Sequence, residues 1–72
     1  MAVTDLIRTW WTKYWELKKD SPEEFLILAN NRYNESQQRM IDHPNIMDRT
    51  KIKIIDELRP LAEERLKEIN DE

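Results

Sequence analysis

Not one of the 72 residues is glycine. An average chain of this length would hold about five. Glycine supplies the positive φ that tight β-hairpin turns require, and it lets backbone close on a phosphate. Its absence therefore disfavours hairpins and glycine-rich nucleotide loops together. What remains is a chain of helices joined by turns that other residues can make. Only Lys51–Ile55, KIKII, has any strand character, and a lone strand would have nothing to pair with.

Composition narrows the choice further. Hydrophobic residues make up 39% of the chain, enough for one core and one domain over residues 1–72. Cysteine is absent, so no disulfide and no thiolate metal site can staple the fold, and neither redox compartment is excluded. His43 is the single histidine and cannot by itself build a zinc site. No cofactor or metal is expected. The net charge of −3 argues against a nucleic-acid partner, even though Arg32, Arg39, Arg49 and Lys53 could be assembled into a candidate surface. No apolar run reaches the ~20 residues of a membrane span, and no leader segment is evident. These features fit a soluble, cytoplasmic protein.

Three helices are expected, over about 4–19, 22–41 and 46–69. The first has the apolar set Leu6, Leu17, Trp10, Val3, Tyr14, Ile7, Trp11 and Trp15, in angular order, spread over roughly half the helix circumference. Val3 or Thr4 would precede its first turn. Asp5 suits its N-terminal dipole, and Lys18 and Lys19 suit its end. The second begins at DSPEE, with Ser21 as N-cap, Pro22 at the first helical position and Glu24 closing a capping box. So short a connection makes helices one and two antiparallel neighbours. DHPN, residues 42–45, ends the second helix, and Asn45 can cap the third with Asp48 as a weaker box partner. Pro60 falls inside that third helix. The stripe Ile54, Leu58, Leu61, Ala62, Ile69 keeps its phase across it, so a kinked helix is favoured over two short ones. The expected fold is all-α, an up-down-up three-helix bundle with its third helix kinked near Pro60.

Some residues suggest more than a core. The cluster WWTKYW, residues 10–15, carries more ring area than so thin a bundle readily covers. Trp10 and Tyr14 lie near the centre of the apolar arc and are expected inside. Trp11 and Trp15 lie at its edge and are candidates for a partner interface. The second helix turns from FLILA to NNRYNESQQRM, placing the amides Asn30, Asn31, Asn34, Gln37 and Gln38 where charges would solvate as well. Neutral amides suit a surface that later loses its water. Tyr33 and Met40 on that helix, and Ile46 and Met47 at the start of the third, are further candidates. The expected partner-binding set is Trp11, Trp15, Asn30, Tyr33, Asn34, Gln37, Met40 and Met47.

Charge is uneven. Residues 1–19 hold four basic and two acidic groups, net +2, and residues 54–72 hold three basic and seven acidic, net −4. Helices one and three should run parallel and attract. The spacings Lys53–Glu57 and Glu63–Lys67 suit solvated i,i+4 pairs. Asp42 beside His43 is a poor catalytic pair, with no paired nucleophile and no glycine turn for an oxyanion hole. No catalytic residue is expected.

DSPEE as a helix start, LAEERLKEI (61–69) as a closing helix, short loops and no cysteine together resemble computationally designed helical mini-binders. The resemblance covers about half the chain. It implies a non-enzymatic protein that occludes a surface of one target protein, without naming the target. The same physics would serve a small natural regulator, such as a phage-encoded inhibitor. Two other classes compete: a membrane-surface module built on the amphipathic, net-positive first helix, and a homodimer closed over Trp11 and Trp15.

Overall fold

A computed structural model describes residues 2–71 and places them in three helices: α1 Val3–Leu17, α2 Pro22–Asp42 and α3 Ile46–Asn70. The chain folds as an up-down-up three-helix bundle. Pro60 does not divide α3, which is one helix throughout. The Pro60 ring is exposed, on the side where a lost backbone hydrogen bond is most easily replaced by water.

The helix starts use different devices. At α1, Ala2 occupies the N-cap position and offers no side-chain cap, so neither Val3 nor Thr4 has that role. At α2, Pro22 takes the first helical position as expected, but the capping box does not form. The Ser21 side chain makes no cap bond, and the Glu24 carboxylate instead accepts from Lys18 Nζ at 3.1 Å. The Ser21 N–H that a capping box would use donates to the Lys18 carbonyl at 2.9 Å. At α3, Asn45 Oδ1 accepts the Asp48 backbone N–H at 2.8 Å, and Asn45 Nδ2 donates to Asp48 Oδ2 at 2.8 Å.

The core consists of Trp11, Trp15, Phe25, Ala29, Ile54, Ile55 and Ala62. In α2 the buried residues Pro22, Ala29 and Ser36 recur every seven positions, and in α3 Asp48, Ile55 and Ala62 do the same. That is the repeat of a coiled-coil seam, here between antiparallel neighbours. Three of the six are Ala or Ser, which lets the two backbones approach.

One seam position is ionic. Asp48 is 4% exposed, and its carboxylate accepts from Ser36 Oγ at 3.1 Å and from Arg39 Nε and Nη2 at 3.0–3.1 Å. The hydrogen bonds from Arg39 are the largest cause holding its pKa down, to about 2. Burial opposes them, and Asn45 and Ser36 add to them. This cluster locks the turn between α2 and α3.

α3 packs along both other helices, whereas α1 and α2 meet chiefly around Phe25. The Phe25 ring lies 6.0 Å from Trp11, 5.8 Å from Tyr14 and 5.1 Å from Trp15, centroid to centroid. The molecule is accordingly flat, 43 × 27 × 14 Å. α1 and α2 are antiparallel, but their mutual contact is thinner than their short connection suggests. α1 runs parallel to α3 and is tied to it near its middle and just beyond its C-terminal end. Arg8 Nη1 donates to Glu57 Oε2 at 2.8 Å, and Arg65 Nε donates to the Lys19 carbonyl at 3.2 Å. Glu57 thus pairs with Arg8 of α1 rather than with Lys53.

Candidate partner-binding site

The apolar arc of α1 is about 180° wide, and the core uses only half of it. Ile7, Trp11, Tyr14 and Trp15 form the inward half, with Trp11 at 3% and Trp15 at 8% exposure. Val3, Leu6, Trp10 and Leu17 fall within about 60° of one another on the outward half. Trp10 is 52% exposed and Leu17 is 81% exposed.

This corrects the expectation drawn from the arc's centre. Trp11 and Trp15 are core residues, and Trp10 is at the surface. The reason is packing. Phe25 enters from α2 at one edge of the arc and draws Trp11, Tyr14 and Trp15 around itself, which rotates the other edge to solvent. The Arg8–Glu57 pair lies on the same flank as Trp15 and is consistent with that rotation. At half exposure on both sides, however, it is screened by solvent and is worth less than one buried indole. A homodimer closed over Trp11 and Trp15 has no exposed surface there to close over.

The remaining expected contacts are scattered. Asn30, Asn34, Gln37 and Met47 are exposed, and Tyr33 and Met40 are half-buried. Arg59 lies 4.6 Å from the Tyr33 ring centroid and donates to Asn30 Oδ1 at 3.1 Å, so these two support α3. Met40 Sδ receives the Asn45 N–H at 3.3 Å. Gln37 and Met40 line a shallow cleft with Gln38, Ile41, Arg49 and Ile52 near the α2–α3 turn, on the side of α2 away from α1.

A different cleft gathers residues from all three helices. Where α1 diverges from α2, Ile7, Trp10 and Trp11 form an apolar floor flanked by Arg32 of α2 and Lys51 of α3. Its volume, about 230 Å³, lies below the ~300 Å³ at which sites for cofactor-sized molecules begin. It suits one or two side chains. Trp10 belongs both to this cleft and to the outward stripe, and it stacks on Tyr14 at 5.3 Å with the rings 12° apart. That stacking holds a half-exposed indole in place.

Sequence reasoning missed Val3, Leu6, Trp10 and Leu17 as a surface. Their shared angle was visible, but not the choice of which half of the arc turns inward. Among the described residues no group of His, Cys, Asp and Glu is arranged to hold a metal ion, and no helix is long and apolar enough to cross a membrane. Comparison with family models gave no match, and neither did comparison with curated proteins or with solved structures.

Proposed function

We propose that this protein is a non-enzymatic binding module that occludes a surface of a target protein through the outward face of α1. The observation that carries this reading is the split arc: four large apolar side chains share one exposed face of a helix whose other face is packed. Exposed apolar residues scattered singly are ordinary, but a contiguous stripe centred on a tryptophan has the composition of a binding hot spot. A helical face laid against a target needs no mobile part. The strong helix formers of α3 and the SPEE turn support the further reading of a designed mini-binder, with a small natural regulator as the alternative. Neither origin changes the mechanism.

Affinity capture tests it. The intact protein is expected to retain a defined protein at a fixed stoichiometry. Leu6→Ser with Trp10→Ser should lose that protein while keeping its helical circular dichroism. Equal capture by the double variant would contradict the reading. An anionic membrane surface is the second reading, favoured by Lys13 lying beside Leu6 and Leu17 on the same flank of α1. Co-sedimentation with phosphatidylserine vesicles, abolished by the same double variant, would support it instead.

A further inference from the structure

The cleft at the open end of α1 and α2 carries a charge pattern that narrows the partner. Arg32 and Lys51 come from different helices and converge on a floor of Ile7, Trp10 and Trp11. Among the described residues Lys51 makes no ion pair. Arg32 has only Glu35, at 3.4 Å with both side chains half-exposed, a contact easily exchanged for a better one. Lys13, along the outward stripe, likewise makes no ion pair among the described residues. No acid lines the cleft itself, and the α2 acid beside it is Glu35, already counted with Arg32. An apolar trough is thus rimmed by two cations, one without an ion pair and one with a weak, exchangeable one.

We propose that this trough seats an acidic amphipathic helix of the partner protein, its apolar stripe covering Trp10 and its carboxylates meeting Arg32 and Lys51. The proposal rests on the reading of α1 as a protein-binding face and adds the chemistry of what binds there. A helix fits because both walls are helices whose backbone groups are bonded internally, leaving no sheet edge for a strand to extend. The α1 face is 15 residues, about 22 Å, so roughly four turns of partner helix can lie along it with one or two side chains seated in the cleft at Ile7–Trp11. Opposite charge at the rim of such a contact sets orientation and partner choice. A second copy of this chain is a poor occupant. Its α1 and α3 carry no net charge, and the apolar face of its acidic helix, α2, is used in its own core.

Three synthetic 15-residue helical peptides test this. They share one leucine stripe and differ only in flanks of Glu, Gln or Lys. Each is titrated into the full chain at low and moderate salt and followed by fluorescence anisotropy. The Glu peptide is expected to bind about tenfold more tightly than the Gln peptide, and the Lys peptide most weakly, with the differences shrinking as salt rises. Arg32→Glu with Lys51→Glu should reverse the order. Both side chains lie at the rim, so the fold survives, and circular dichroism verifies it. Equal affinities that all fall with Trp10→Ala would overturn the acidic partner while leaving the binding face standing. No binding by the Glu peptide, with binding to anionic vesicles or concentration-dependent self-association, would overturn both.

Discussion

Trp11→Ala is expected to remove most of the stability of the fold, while Trp10→Ala, one residue away, removes much less. Truncating a fully buried indole costs about 3–5 kcal/mol, from lost transfer energy and the cavity left behind. A domain of this size holds on the order of 4–10 kcal/mol in all. Trp11 touches Trp10, Tyr14 and Phe25 through edge-on ring contacts at 5.1, 6.2 and 6.0 Å, and no neighbouring helix can slide in to fill its place. Trp10 loses its stacking on Tyr14, its edge contact with Trp11 and the buried half of its area, an effect of about 1–2 kcal/mol. Urea titrations followed by circular dichroism measure both. Similar midpoints for the two variants would mean that α1 is rotated from the orientation described.

Asp48→Ala is expected to cost about 2–4 kcal/mol. The substitution leaves the Ser36 hydroxyl, 0% exposed, without its carboxylate, and it removes the partner of the Asn45 cap. Arg39 is half-exposed and can return to water, so Arg39→Ala should cost less. The same network makes stability depend on pH. The folded pKa of Asp48, about 2, is below its ordinary 3.8. Its contribution is therefore complete above about pH 4 and is lost as the pH falls toward 2. The loss is on the order of 1–2 kcal/mol after screening at Arg39. Thermal unfolding across that window should show a fall in midpoint that Asp48→Ala abolishes. An unchanged fall in the variant would assign the acid step to other carboxylates.

Much of the fold was legible because its boundaries are written in local chemistry. Pro22 and the Asp42–Asn45 break mark ends that only a few residue types can make, and both turns lie where those residues stand. The Ser21 box failed because the turn itself uses its groups: the Ser21 N–H bonds to the Lys18 carbonyl at 2.9 Å, and Glu24 accepts from Lys18 Nζ. Tyr33 and Asn30 read as contacts because nothing local showed Arg59 reaching them. The buried Ser36–Asp48 pair had a signal that went unused: each sits on a seven-residue repeat with alanine, Ala29 before Ser36 and Ala62 beyond Asp48. The facing of α1 was not legible. Eight apolar residues over half a circumference allow several rotations, and the position of Phe25 chooses among them. The candidate site follows from that rotation, so it could not be read before it.

The rotation of α1 can be measured directly through its three indoles. With tryptophan labelled at the indole nitrogen, soluble paramagnetic agent should broaden one of three resonances in the isolated monomer, and Trp10→Phe should identify it. Slow hydrogen exchange at the other two, lost together on unfolding, would place Trp11 and Trp15 inside and leave Trp10 facing out. If all three are shielded, or if the broadened resonance belongs to Trp11 or Trp15, α1 presents a different face and the outward stripe does not exist.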